Sequence, residues 1–188
     1  MGLSYTNMIL YKVEQQAVVS VLKKQGRIAH VSSPQDNFTV VYDKETENQN
    51  AGAIETFSAW LTKELGCTGL TSLVHDSDFY IYWLYRNGAL LDLYNSLPHC
   101  PGGDPKTLCE AFDRISAIPE VQKVFQLVEQ SNQGHEHFRL RFQGEDVHRA
   151  FVQALGIPSS VSFIGYSAIE NADLPNDLSR DAFIKTQD

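Results

Sequence analysis

Hydrophobic and polar positions follow two different spacings along the first half of the chain. Short apolar runs rich in β-branched and aromatic residues predict strands, and apolar residues that recur every three or four positions predict helices. Gly26 and Gly66 stand where the two helical patterns end, as glycine often does at a helix C-terminus. The patterns predict strand, helix, strand, strand, helix and strand over residues 8–11, 14–25, 27–33, 38–43, 53–65 and 70–74.

This order of elements is the βαββαβ order of ferredoxin-like folds, in which an antiparallel sheet carries both helices on one face. The fold class expected is therefore α+β, with a ferredoxin-like domain over residues 1–96 that includes an added β-hairpin over residues 79–96. The opposite face of such a sheet has to be covered by something else.

The strongest local signal is Asn87-Gly88, which lies between two apolar runs. Asn-Gly favours a type I′ turn, because both central residues of that turn need a positive φ. A two-residue loop there sets the pairing of the strands. It predicts that Tyr85 lies opposite Leu90, Leu84 opposite Leu91, Trp83 opposite Asp92 and Tyr82 opposite Leu93.

The predicted pairing separates the hairpin side chains into two faces. Tyr82, Leu84, Leu91 and Leu93 would lie in the core. The other face would carry Trp83, Tyr85, Asp92 and Tyr94 together with Phe79, Ile81 and Leu90, and it is too aromatic to be left in water. Three outcomes are open for this face: cover by the C-terminal half of the chain, a homodimer interface, or a site for a ligand or partner.

Residues 97–103 contain two prolines and two glycines and are expected to be a linker. Residues 104–188 are expected to form a mainly helical lobe packed on the sheet. Its helices are predicted to begin at Asp104-Pro105, at Pro119 and at Glu145. A short strand is expected over residues 138–142, a strand or bend over residues 161–166, and a surface tail over the last fifteen residues.

Charge and cysteine content narrow the range of partners. The chain has 188 residues and a formal net charge of −8, and its basic residues are scattered, which argues against nucleic acid and anionic membranes as partners. No apolar run reaches the length of a membrane span. The three cysteines, Cys67, Cys100 and Cys109, suggest reduced thiols and a cytoplasmic protein.

Three groups of residues could support chemistry. His75, Asp76 and Asp78 cluster near one end of the sheet, where they could do acid–base work or bind a divalent cation, although Asp-Ser-Asp between two strands is also ordinary turn chemistry. His135 and His137 would point to one side of a strand and could bind a metal. Cys100, beside His99 and just before a predicted helix, is a candidate nucleophile. No cofactor is predicted.

Residues 78–88 (DFYIYWLYRNG), 92–96 (DLYNS) and 165–170 (GYSAIE) resemble segments of an uncharacterised family of bacterial proteins with no assigned function. The resemblance implies a bacterial cytosolic protein and no particular activity.

The function expected from the sequence is that of a non-enzymatic binding or regulatory module, with Trp83, Tyr85, Asp92 and Tyr94 as contacts. The alternative is a small hydrolase or metal-assisted enzyme that uses the His75, Asp76 and Asp78 cluster.

Overall fold

The computed structural model describes residues 2–100, 102–133 and 143–187. They form a mixed α and β structure around one antiparallel sheet of seven strands in the order β6-β5-β4-β1-β3-β2-β7. The strands are β1 (Tyr5–Tyr11), β2 (Ala29–Ser32), β3 (Phe38–Asp43), β4 (Thr68–His75), β5 (Phe79–Arg86), β6 (Ala89–Asn95) and β7 (Phe183–Lys185).

The helices lie on both faces of this sheet. Those of the described residues are α1 (Gln15–Lys24), α2 (Ala51–Leu65), α3 (Pro105–Ala111), α4 (Ile118–Asn132), α5 (Gly144–Leu155), α6 (Ser159–Ser162) and α7 (Tyr166–Glu170). None of them combines the length and the apolar character that crossing a membrane requires.

Alternation along the central strand explains why both faces are covered. In β1, Met8 and Leu10 are buried against α1 and α2, while Ile9 is buried on the opposite side of the sheet. Helix α1 contributes Val18 and Leu22 to the first of these layers.

The C-terminal helices cover the second face. Phe38 and Tyr42 of β3 are fully buried there, in the same cluster as Phe112, Phe151 and other side chains from α4, α6 and α7. The molecule therefore has three layers, with the sheet in the middle.

The C-terminal segment differs from the prediction. Residues 183–185 form β7, which pairs with β2 through Val31 and Ile184, so the expected surface tail is wrong. Strand β2 would otherwise be an unpaired edge, and the buried Phe183 adds apolar contact beside it. Residues 161–166 are not a strand: α6 ends at Ser162, α7 begins at Tyr166, and Phe163 between them is a bend, which was the other alternative. The strand predicted over residues 138–142 lies outside the described residues.

The first residue of α5 touches the β4–β5 turn. The amide of Gly144 donates a hydrogen bond to the Ser77 carbonyl at 2.8 Å. A Cβ atom added at Gly144 would lie 2.2 and 2.3 Å from the carbonyl carbon and oxygen of Phe79. Only glycine allows this close approach of two backbones.

The variant Gly144→Ala is expected to lose about 1–3 kcal/mol of the free energy of unfolding, because the new methyl group forces α5 away from the turn. Gly52→Ala is the matched control, since a Cβ there meets only the Asn50 side chain at 3.4 Å. Urea unfolding monitored by circular dichroism measures both. Equal midpoints for the two variants would contradict the tight contact.

Candidate functional site

The hairpin turn is confirmed, but the pairing beyond it is not the predicted one. Asn87 and Gly88 have φ values of 51° and 85°, and Tyr85 pairs with Leu90. The register then shifts at a β-bulge, so that Leu84 pairs with Asp92 and not with Leu91.

The bulge changes the face on which the rest of β6 lies. Because side chains alternate along a strand, one extra residue moves all later side chains to the opposite face. Asp92 and Tyr94 therefore lie on the side of Tyr82, and Trp83 and Tyr85 lie on the other side. The prediction that Trp83, Tyr85, Asp92 and Tyr94 share one face is wrong for this reason.

Trp83 and Tyr85 belong to the layer of α2. They are buried in a cluster with Ile54 and Leu73, and the indole nitrogen of Trp83 donates to a carboxylate oxygen of Glu55 at 3.2 Å. Trp83 and Tyr85 themselves are thus covered from within the chain.

Leucines remain exposed along the edge strand. Leu90, Leu91 and Leu93 of β6 are 50%, 40% and 40% exposed. Exposed apolar side chains on an edge strand are typical of surfaces that pair with another chain, so the homodimer stays a prediction.

Asp92 connects the hairpin to the start of the C-terminal helices. One of its carboxylate oxygens accepts a hydrogen bond from the Tyr82 hydroxyl at 2.7 Å and one from the Asp104 amide at 2.9 Å. Hydrogen bonds to an ionised acceptor are stronger than neutral ones, so Asp92 fixes the position of residue 104 relative to β5.

Tyr94 lies in an aromatic cluster on the same side of the sheet. Its ring centroid is 4.7 Å from that of Phe125 and 5.4 Å from that of Phe151, both in edge-to-face arrangements. Tyr94 is only 5% exposed, and its hydroxyl has no hydrogen-bond partner among the described residues. Burial raises the pKa of Tyr94, so the hydroxyl is neutral and able to donate a hydrogen bond.

A cleft of about 630 Å³ lies beside this tyrosine. It is formed by the end of β6, the 97–100 segment and the last turns of α4, and Tyr94, Phe125 and Val128 supply its apolar lining. We call it the Tyr94 cleft. Its volume is in the range of sites for small organic ligands.

The polar lining of the Tyr94 cleft comes mostly from the end of α4. The side-chain amide nitrogen of Asn132 donates to the Ser96 carbonyl at 3.0 Å, and that of Gln133 donates to a Glu129 carboxylate oxygen at 3.3 Å. These bonds hold both amides in place, and each amide keeps its oxygen and one N–H for other partners.

His99 and Cys100 also line the Tyr94 cleft. Cys100 is exposed, whereas burial raises the pKa of the Cys67 thiol to about 11 and that of the Cys109 thiol to about 11. The nucleophilic role considered for Cys100 stays a prediction.

The acidic cluster of the β4–β5 turn is engaged in local structure. Asp76 accepts a hydrogen bond from the Gly2 amide at 2.6 Å, and the Nδ1 atom of His75 lies 2.6 Å from the side-chain oxygen of Gln49. The Asp78 amide donates to the His75 carbonyl at 2.8 Å. These bonds are those of a turn that holds the N-terminal segment.

Across the described ranges, no group of three His, Cys, Asp or Glu side chains is close enough to hold a metal ion. His135 and His137 lie outside those ranges, so the metal site considered for them stays a prediction.

Sequence reasoning missed Phe125, Glu129 and Asn132. One signal was present: Asn132 follows Phe125 by seven residues and Val128 by four, so a polar side chain continues the apolar stripe of α4. A polar residue at such a position indicates that the stripe leaves the core and lines a cavity at that point.

Comparisons with known proteins show no relationship: no protein-family model, curated protein or solved structure matches the chain.

A buried histidine lies on the same side of the sheet as Tyr94. The Nδ1 atom of His148 and the Tyr5 hydroxyl are 2.8 Å apart, and the His148 ring stacks on Tyr80 at 4.9 Å. Burial, with a smaller contribution from the positive charge of Arg149, lowers the pKa of His148 from 6.5 to about 3.

The variants Tyr94→Phe and Tyr82→Phe are expected to differ in stability. Removing the Tyr94 hydroxyl breaks no hydrogen bond among the described residues and should leave the free energy of unfolding unchanged or slightly higher. Removing the Tyr82 hydroxyl breaks its hydrogen bond to the Asp92 carboxylate and should lower the free energy of unfolding by about 1.5–3 kcal/mol. Chemical unfolding of both proteins tests this, and a larger loss for Tyr94→Phe would contradict it.

Stability is also expected to fall as the pH is lowered below 6.5. The unfolded chain takes up a proton at His148 near pH 6.5, while the folded chain keeps this side chain neutral down to about pH 3. Acid therefore favours the unfolded state. The protonation of His148 alone should lower the free energy of unfolding by about 1.4 kcal/mol between pH 7.5 and pH 5.5.

Urea unfolding at the two pH values measures this loss. His148→Gln should lose that share of the pH dependence, whereas the exposed His99→Gln should keep it. If His148→Gln fails to fold, an NMR titration of His148 in the unmodified protein gives the pKa directly. A value near 6.5 would refute the prediction.

Proposed function

We propose that this protein is a non-enzymatic binding module whose ligand is a small organic molecule held in the Tyr94 cleft. The observation that carries the proposal is the cleft itself, a concave space of about 630 Å³ whose lining combines the rings of Tyr94 and Phe125 with the polar side chains of Glu129, Asn132 and Gln133.

The composition of the cleft supports binding. An aromatic lining with a few fixed polar groups is typical of ligand pockets, since the apolar surface supplies affinity and the polar groups set orientation. Phe125 and Tyr94 supply the apolar surface, and Asn132 and Gln133 supply the polar groups.

The four contacts predicted from the sequence take different parts in this proposal. Tyr94 contacts the ligand, and Asp92 holds the hairpin against residue 104 so that the cleft keeps its shape. Trp83 and Tyr85 support the hairpin from the side of α2.

We further propose that strands β1 to β4 with α1 and α2 form a ferredoxin-like unit. Support comes from the pairing order β4-β1-β3-β2, the antiparallel direction of each pair, and the packing of both helices against one side of the sheet. The free cysteines Cys67, Cys100 and Cys109 support the further proposal of a cytoplasmic protein. The proposal of a bacterial origin rests on the resemblance of residues 78–88, 92–96 and 165–170 alone.

Ligand-observed NMR with a library of small aromatic fragments tests the proposed function. We expect fragments that bind the unmodified protein and are lost in Gln133→Trp, because the indole fills the cleft. The control is Gln130→Trp, which places the same side chain on the same helix at an exposed position away from the lining. A library without hits, or hits retained by Gln133→Trp, would overturn the proposal.

A further inference from the structure

The Tyr94 cleft carries a negative side chain and no lysine or arginine among its described lining residues. The negative side chain is that of Glu129. The whole chain carries a formal net charge of −8, which adds to the negative potential around this carboxylate.

The position of the cleft at the end of α4 increases this negative potential. Helix α4 runs over fifteen residues and ends at Asn132, which lines the cleft. The last carbonyl groups of a helix carry a partial negative charge, and this favours cations within the final turn.

The Glu129 carboxylate and two side-chain amides supply hydrogen-bond acceptors at this end of the cleft. Asn132 and Gln133 each use one N–H of the side-chain amide in bonds to Ser96 and Glu129, so each amide keeps its oxygen as an acceptor and one N–H as a donor, while the carboxylate of Glu129 only accepts. A ligand with N–H donors can bond to these oxygens, and one whose donors are cationic also pairs with the charge of Glu129.

The aromatic lining is compatible with the same kind of ligand. Tyr94 and Phe125 both line the cleft, and aromatic rings attract cations through the negative charge of their π faces. The same rings offer apolar contact to a planar ligand body.

We infer that the Tyr94 cleft selects organic cations that join a planar apolar body to an amine or amidine group, with Glu129 as the counter-ion. This inference rests on the proposed function, because it names the class of ligand for the same cleft. The cationic group lies against Glu129 and the end of α4, and the planar body lies on Phe125 and Tyr94.

Three probes of nearly equal shape test the inference: benzamidine, benzamide and benzoate, which are a cation, a neutral amide and an anion. NMR chemical-shift titrations of the full chain at low salt give the three dissociation constants. We expect benzamidine to bind about tenfold more tightly than benzoate, with benzamide between them.

The variant Glu129→Gln should weaken benzamidine binding about fivefold and leave benzamide binding unchanged, since an exposed ion pair contributes about 1 kcal/mol. Glu120→Gln is the matched control, because it removes the same charge from an exposed position of α4 outside the lining. It should leave all three dissociation constants unchanged.

The outcomes separate the two proposals. Equal binding of the three probes, lost together in Gln133→Trp, would overturn the cation selectivity and leave the binding function standing. Tighter binding of benzoate, or no effect of Glu129→Gln, would also overturn the selectivity. Failure of all three probes together with an empty fragment screen would overturn both.

Discussion

The central sheet carries large apolar side chains on both faces, so the chain has to supply a helical layer for each of them. Helices α1 and α2 meet this constraint on one side, and helices α3 to α7 meet it on the other. The second layer depends on Asp92, whose carboxylate receives hydrogen bonds from Tyr82 in the sheet and from residue 104 at the start of the helices. The cleft lies where this junction meets the end of α4, so its shape follows from the burial of the second face.

Much of the fold could be predicted from local patterns. The helical spacing of residues 14–25 and 53–65 and the Asn87-Gly88 turn correspond closely to α1, α2 and the β5–β6 turn. These features depend on contacts between residues that are close in the sequence, which is why local patterns reveal them. Strand β7 could not be predicted in this way, because its three residues are stabilised by pairing with β2, far away in the sequence.

The site was harder to predict than the fold. The sequence points to Tyr94 because an aromatic residue on an edge hairpin needs a partner, but its predicted neighbours depend on a regular strand pairing that the bulge interrupts. No local signal separates a regular strand from one with an extra residue at Leu91. Phe125 and Glu129 lie on a helix whose position relative to β6 is set by tertiary packing, and no local pattern encodes that position.

The bulge in β6 also affects how such a cleft can change during evolution. Point substitutions at Glu129 or Asn132 alter the lining one group at a time and leave the backbone in place. Loss of a single codon near Leu91 would instead turn Asp92 and Tyr94 toward α2. The hydrogen bonds of Asp92 to Tyr82 and residue 104 and the aromatic ring of Tyr94 in the cleft lining would then be lost together. The cleft can therefore diverge gradually through substitution, whereas changes of length in this strand are expected to be rejected by selection.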